Sequence, residues 1–515
     1  MPVASLMIAA PQGRSGKTTV SMGLCAALRR RGLKVKPFKK GPDYIDPSWL
    51  TAAAGHACGN LDPFMFDETT LQQAFMLGCQ DMDIAVIEAS MGLYDSPGED
   101  GSGSSAWLAR LLKVPVILIV NSARMARSAA AMVSGYMSFE PGTNITGVIL
   151  NNVAGRRHRD KLVKAIEQHC GIPVLGCIPS DKGLALKERH IGIVPFIEQD
   201  GSAGVIENAC AVIENNVDLD RVSGIARGAD RLPRRCAPRN DEVNTVCDSD
   251  TTVIAVSRSC EPKSWKATTE QSSSDHAVAG SSPSYVIARS PQATRQSDYQ
   301  QVKIGVLYDR AFSFYYPDNL EALQKAGAGL VFINSFTDSL PDIDGLYIGG
   351  GFPELYAAEL EANACLRQDV AAMAREGLPV YAECAGLMYL CRAILKDNRR
   401  YEMVGVFAAD AEITGRPQGH GYMEVEVSEG NPFFRPGAMI KGHEFHYSRL
   451  TAYAALNATF NVRRGHGING SADGMVHKNT LAAYLHLHAL SVPGWASDFV
   501  KISLSHKISP IKIAV

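Results

Sequence analysis

Two short stretches carry residue types and spacings that do chemistry. The first is Ala9-Ala10-Pro11-Gln12-Gly13-Arg14-Ser15-Gly16-Lys17-Thr18-Thr19. A glycine-containing loop between an apolar run and a helix-like run rings phosphates with backbone N–H groups. Its lysine reaches the β and γ oxygens, and the hydroxyl after it ligates Mg²⁺. Gly13, Ser15, Gly16, Lys17, Thr18 and Thr19 are the candidate ATP-binding residues, and Pro11 stands where the first glycine of such a loop usually sits. The second stretch is Val380-Tyr381-Ala382-Glu383-Cys384-Ala385-Gly386, which reads as strand, small-residue turn and helix start. That elbow pushes the Cys384 thiol out at a helix N-terminus, where thiolate is favoured. The amides of Gly349, Gly350 and Gly351, together with that of Ala385, suit an oxyanion hole. The run Leu481–His488 supplies imidazoles. In a continuous strand His486 and His488 point to one face, so either meets Cys384.

Acidic residues accompany the phosphate loop. Ile84-Ala85-Val86-Ile87-Glu88 is an apolar run ending in a carboxylate, the place for a metal contact at the carboxyl edge of a sheet. Lys39-Lys40-Gly41-Pro42-Asp43-Tyr44-Ile45-Asp46-Pro47 gathers cations, a turn and two carboxylates in one loop, suited to Mg²⁺ and an acidic substrate. Thr18, Asp46 and Glu88 are thus the candidate metal ligands, and Asp43, Tyr44 and Asp46 the candidate substrate contacts. Asn151-Asn152 closes another apolar run, where an amide reads an adenine edge. His443-Glu444-Phe445-His446 lacks the partners of a zinc set and reads as pocket or packing.

The elements that must hold these residues form two alternating series. Leu6–Ala10, Ile84–Glu88, Val114–Val120, Gly147–Leu150 and Pro173–Ile178 read as buried strands, with helices over Lys17–Arg31 and His158–His169. Near-continuous apolar strands between helices predict a parallel sheet covered on both faces. A second series begins at Lys303 and runs through strands near Ile304, Leu330, Gly345 and Pro379 with helices between them. The expected organisation is α/β throughout: a P-loop domain over residues 1–220 and a second α/β domain over 301–515. Residues 221–300 are rich in Ser, Arg, Asp and Pro and poor in apolar clusters, the texture of a disordered linker or insertion, with Thr251–Val256 as one stray strand.

The chain has 515 residues, 46% hydrophobic and 20% charged, with a formal charge of −2. That balance leaves no electrostatic footprint for nucleic acid or an anionic membrane. The longest apolar run is far too short to cross a bilayer, and the twelve cysteines lack paired spacing. A reduced, cytoplasmic protein is the expectation.

Taken together, the P-loop, Lys36-Pro37-Phe38-Lys39-Lys40-Gly41-Pro42-Asp43-Tyr44-Ile45-Asp46-Pro47, Asn60-Leu61-Asp62, Met91-Gly92-Leu93-Tyr94-Asp95 and Ala382-Glu383-Cys384 resemble the cobyrinic acid a,c-diamide synthase family. The resemblance spans the chain outside 221–300. It implies a dethiobiotin-synthetase-like domain followed by a class I glutamine amidotransferase domain. It also implies amidation of the a and c carboxylates of cobyrinate from glutamine or ammonia, with ATP and Mg²⁺, through an acyl phosphate. The implied partners are a tetrapyrrole carboxylate and L-glutamine, with a homodimer as the candidate assembly. Similar enzymes take nickel sirohydrochlorin and siroheme, which are the alternative substrates.

By position, Cys384 matches the family nucleophile, His486 its activating histidine, Lys17 and Thr18 the ATP and metal positions, Glu88 the acidic metal position and Asn151 the adenine reader. In many class I domains a Glu follows two residues after the His. Here His488 stands there, implying a Cys–His dyad. Ala385 replaces an expected Gly, which would crowd the oxyanion hole, and Asn121 replaces an expected Asp. Leu50 replaces a frequent His beside Trp49, whose flat face would then meet a less charged edge of a macrocycle such as siroheme. A P-loop regulatory ATPase would not need Cys384 and His486, and a stand-alone glutaminase would not need the Asp43–Asp46 loop.

Overall fold

The computed structural model describes residues 3–228, save 97, 182–185 and 190–191, and residues 301–508, save 453–456. The expected insertion beyond residue 228, including the stray strand Thr251–Val256, lies outside the described residues.

The first half is a seven-stranded parallel sheet of β1 (Ala4–Ala9), β2 (Val35–Lys40), β3 (Gly59–Leu61), β4 (Ile84–Glu88), β5 (Val116–Asn121), β6 (Ile145–Val153) and β7 (Val174–Pro179). The spatial order is β3-β2-β4-β1-β5-β6-β7. Strands such as Val116–Asn121 bury nearly every residue, because helices cover both faces and neither side of a strand can be polar. The exceptions cluster at the carboxyl ends, where Lys39, Lys40 and Glu88 are buried polar residues. In a doubly wound sheet the ligand crevice lies at those ends, beside the strand where the order reverses. β1 is that strand, and β4 pairs with it from Ala4↔Ile84 to Ile8↔Glu88. This half ends in the helix Leu219–Ala226, capped by Asp218, whose Val222 and Ile225 are buried. The ordered chain therefore runs past the expected boundary at residue 220, because an apolar stripe three residues apart docks on the core.

In the second half, five parallel strands lie in the order Ala328–Ile333, Val302–Leu307, Gly345–Ile348, Val380–Glu383, Thr480–Ala483. Antiparallel strands extend this sheet through Ala472–His477, Ala458–Arg464, Gly419–Val427 and Met439–His446 to the short His486–Leu487. The two halves belong to one compact unit. Tyr316 of the second half is buried in the apolar cluster of the first, with Phe314 packed against it. No helix among the described residues is long and apolar enough to cross a membrane.

Candidate functional site

The phosphate loop follows β1 and opens the helix Lys17–Arg30. Gly16 takes φ 93, a left-handed conformation that lets the loop turn into the helix. Lys17 is buried, and its Nζ donates to the carbonyls of Met91 at 2.6 Å and Gln12 at 3.4 Å. Burial, and the nearby Lys39, lower its pKa. Pro11, the departure from the usual loop, has a role of its own: its carbonyl accepts from Tyr136 Oη at 2.7 Å. The segment Met91–Leu93 closes on the loop through Leu93 N to Ala10 O at 2.9 Å.

Asn151 Nδ2 donates to Ser15 O at 3.0 Å, while its Oδ1 accepts from Asn152 N at 3.0 Å. The side chain expected to read adenine thus braces the phosphate loop. It also lines a cavity of about 300 Å³ with Thr19, Val20 and Ile213, beside the loop. Asn121, in place of an acid, accepts from Asn152 Nδ2 at 3.1 Å.

Lys39, which the sequence grouped only among the cations of its loop, is the centre of the acidic group. Its Nζ is bonded to Asp46, lies 2.8 Å from Glu88 Oε1 and 3.7 Å from Asp43 Oδ2, and its side chain is 4% exposed. Burial alone would lower its pKa, but Asp46, Glu88 and Asp43 hold it well above the ordinary lysine value. Burial drives Glu88 up to about 7 and Asp43 up to about 6. Asp46 feels the same burial, but the Lys39 ammonium outweighs it and keeps its carboxyl below the usual range. Thr18 Oγ1 donates to Glu88 Oε1 at 2.9 Å. The sequence-predicted metal ligands Thr18, Asp46 and Glu88 therefore do converge, around a lysine.

Two features bear on whether Mg²⁺ fits. Glu88 Oε2 is buried without a hydrogen-bond partner. Among the described residues no three His, Cys, Asp or Glu side chains form a complete cation cage. An open half-site with one or two carboxylates is what Mg²⁺ takes when substrate phosphates and water supply the rest. The donor set fits that ion.

Asp43 and Asp46 lie at the start of the helix Ile45–Ala54, where Asp43 Oδ1 accepts from Ile45 N at 2.8 Å. Trp49 and Leu50 do not meet a macrocycle. They are 0% and 1% exposed in an apolar cluster, and Trp49 Nε1 donates to Val194 O at 2.9 Å. Trp49, Leu50, Ala53 and Ala54 form the buried face of this helix, so position 50 points away from the cavity that Asp43 and Asp46 line.

The thiol site is built as an elbow. The strand Val380–Glu383 ends, Cys384 takes φ 48 and ψ −93, and the helix Ala385–Leu390 begins. A left-handed φ at a non-glycine residue is strained and aims the side chain out of the turn. Gly386 allows it, since a Cβ there would come within 2.6 Å of Ile348 O. The expected thiolate is not what the surroundings favour. Burial, followed by the charge of Glu354, raises the Cys384 pKa, against a hydrogen bond from the Ala385 N–H. The resting nucleophile is a neutral thiol. Ala385 is fully buried in the apolar cluster and does not line the cavity, so its methyl leaves the cavity open.

Of the three glycine amides, two are committed. Gly349 N donates to Tyr315 Oη at 2.7 Å and Gly350 N to Phe314 O at 3.3 Å. Gly351 N–H is engaged by nothing among the described residues, and Gly351 lines the cavity with Cys384. Of the three glycines, Gly351 alone therefore keeps an uncommitted N–H among the described residues, while the Ala385 N–H is directed at Cys384.

His486 lines the cavity; His488 does not. The strand Thr480–Ala483 stops before the two-residue strand His486–Leu487, so the alternation of a continuous strand does not extend to His488. His488 is 0% exposed, with Nε2 3.5 Å from Asp318 Oδ2 and its ring over Tyr316 and Phe66. His486 stacks on His443 with centroids 4.9 Å apart, and burial holds His443 well below the usual histidine range. His446 stacks on Tyr484. Both side chains of the His443–His446 pair therefore serve packing and cavity lining.

One cavity of about 1060 Å³ joins everything. Lys17, Thr18, Lys39, Asp43, Tyr44, Asp46 and Glu88 line it from the first half, and Gly351, Cys384, His443 and His486 from the second. Tyr44 is where the halves meet: it stacks on Phe314 at 5.3 Å and lies 5.4 Å from His486. Lys40 and Asp95, which the sequence offered only as members of longer motifs, also line the cavity.

Two family models match the same division. The CobQ/CobB/MinD/ParA nucleotide binding domain matches residues 6–193, and the CobB/CobQ-like glutamine amidotransferase domain matches residues 303–493. The chain is 37% identical to a cobyrinate a,c-diamide synthase of Magnetococcus marinus, covering 95% of each chain. It is 37% identical to that of Archaeoglobus fulgidus, covering 98% of this chain and 99% of the relative. The chain belongs to the cobyrinate a,c-diamide synthase family. A third member, from Dehalococcoides mccartyi, is 38% identical over 97% of this chain and 98% of its own. As a member of this family, the chain pairs a nucleotide-binding parallel sheet with a glutamine amidotransferase domain, the architecture expected from its sequence.

Proposed function

We propose that the chain amidates the a and c carboxylates of cobyrinate, using glutamine and ATP, in cobalamin biosynthesis. The observation that carries this reading is the single cavity lined by Lys17 and Thr18 from one half and by Cys384 and His486 from the other. Its volume of about 1060 Å³ lies at the top of the ~300–1,000 Å³ range of small-molecule sites. With Trp49 and Leu50 in the core, nothing in the loop favours siroheme.

Carboxylate and ammonia do not condense at neutral pH without activation. The macrocycle carboxylate attacks the γ-phosphorus of ATP, giving an acyl phosphate and ADP. Lys17 turns from the Met91 and Gln12 carbonyls to offset the charge on the transferring group. Thr18, Glu88 and Asp46 would hold Mg²⁺, which supplies charge neutralisation on the phosphates. Lys39 keeps Asp46 and Glu88 in place.

At the other end the Cys384 thiol gives its proton to His486 and attacks the glutamine amide carbon. The Gly351 and Ala385 amides take the oxyanion. His486 returns the proton to the leaving nitrogen, ammonia departs, and water cleaves the thioester to glutamate. Ammonia then crosses the shared cavity and displaces phosphate from the acyl phosphate. A second round gives the diamide. Mass spectrometry after incubation with ATP, glutamine and, separately, cobyrinate, siroheme and nickel sirohydrochlorin tests the substrate. Diamide from cobyrinate is the expected product, and amidation of another macrocycle alone would overturn the assignment.

A further inference from the structure

We propose that Glu383, the residue immediately before the nucleophile, is the carboxylate that orients His486, so that this site works as a Cys–His–Glu unit rather than a dyad. The inference deepens the reading of Cys384 and His486 given above and rests on it.

Glu383 ends the strand Val380–Glu383 with its side chain 1% exposed. Oε1 accepts from Leu487 N at 3.2 Å, and Oε2 accepts from Tyr347 Oη at 3.3 Å. Oε2 also lies 3.5 Å from His486 Nδ1. Those two accepted bonds leave Oε2 with capacity to spare, while His486 Nδ1 is buried with no hydrogen-bond partner among the described residues. At 3.5 Å the pair is at the outer edge of hydrogen-bond distance, as catalytic pairs often are before substrate closes them. The fold keeps the two together. The Leu487 N–H held by Glu383 follows His486 directly, and Gly350 leaves no room for a Cβ beside the ring.

The consequence is a tautomer. A carboxylate at Nδ1 makes that nitrogen the donor and leaves Nε2 as the acceptor. Nε2 is then the base for Cys384. Because the thiol is neutral at rest, proton transfer is part of its activation, and an anion behind the ring stabilises the imidazolium that results. The residue two positions after His486 cannot fill this role, since His488 faces Asp318 and Phe66. A buried carboxylate between Tyr347 and His486 is costly as mere packing.

The test is the glutaminase reaction of the full chain, read as glutamate release against pH, for wild type, Glu383→Gln and Glu383→Asp. The titratable groups facing His486 are Glu383, Tyr44 and His443, with Cys384 in the same cavity. Glu383→Gln should lower kcat at least about 100-fold with KM nearly unchanged, since Glu383 orients the base and does not touch glutamine. Its acid limb should move to lower pH, because losing the anion favours neutral imidazole. Glu383→Asp, which keeps the charge, should lose less. A structural role would lower stability without splitting kcat from KM or moving the limb. Wild-type kcat and limb in Glu383→Gln overturn the proposal; absence of glutamate release by wild type overturns the underlying reading instead. Should Glu383→Gln fail to fold, ¹⁵N-histidine NMR of the unaltered chain decides: Nδ1–H on His486 is expected, and Nε2–H contradicts it.

Discussion

Removing Lys39 should unmask a buried cluster of like charges. In Lys39→Met the carboxylates of Asp43, Asp46 and Glu88 lose the cation they share, at 2.8 Å for Glu88 and 3.7 Å for Asp43. At an effective dielectric of about 20 those two attractions are worth ~6 and ~4.5 kcal/mol, before the desolvation of lysine offsets most of them. Breaking buried pairs of this kind leaves a net loss of about 3–5 kcal/mol. The variant has one relief, which is to bind protons. Glu88 and Asp43 are already pushed up to about 7 and 6, and without Lys39 they rise further. A carboxyl raised in the fold binds more protons folded than unfolded, so stability falls as pH rises through the folded pKa, by about 1.4 kcal/mol per unit per proton. The deficit of Lys39→Met should therefore be largest near pH 8 and shrink toward pH 5.5. Hydrogen exchange of β1 and β4 amides reports the opening of this sheet apart from the other half. Equal protection in both proteins at pH 8, or a deficit that grows on acidification, would refute the reasoning.

Three further outcomes follow from the same geometry. Lys17→Ala removes the cation that offsets phosphoryl charge, so amide synthesis should fall by several orders of magnitude while glutamate release persists; unchanged synthesis would remove ATP from the scheme. Burial raises the Cys384 pKa above its ordinary 9.0, so alkylation by iodoacetamide should keep climbing as pH passes 9.0; a plateau near neutrality would mean a resting thiolate. Leu50→His buries an imidazole in an apolar cluster and should cost about 2–4 kcal/mol without changing macrocycle preference; a stable variant with altered kcat/KM would put position 50 back at the substrate.

What the sequence disclosed was local. The P-loop and the cysteine elbow are backbone devices written in consecutive residues, and both stand where the spacing placed them. Trp49 and Leu50 carry a legible core signature. Trp49, Leu50, Ala53 and Ala54 recur at helical period on one face, which marks them as core once the helix is recognised from Ile45. Other features depend on partners far along the chain. Lys39 is defined by Glu88, 49 residues away, and Glu383 by Leu487, 104 residues away. His486 and His488 parted company because a strand broke for two residues, a register event that alternation does not report. The glycine amides are equivalent in sequence, and only the fold shows that Tyr315 and Phe314 occupy two of them.

The most direct measurement is the fate of the glutamine amide nitrogen in wild type and Cys384→Ser, each incubated with cobyrinate and ATP. Wild type given ¹⁵N-amide glutamine should yield a diamide carrying ¹⁵N at both new amides. Cys384→Ser should yield none from glutamine, yet make the diamide from free ammonium at close to the wild-type ammonium rate, because the synthetase end of the cavity is intact. Label transferred by Cys384→Ser, or loss of the ammonium reaction in a folded variant, would contradict a thiol that serves only to release ammonia into the shared cavity.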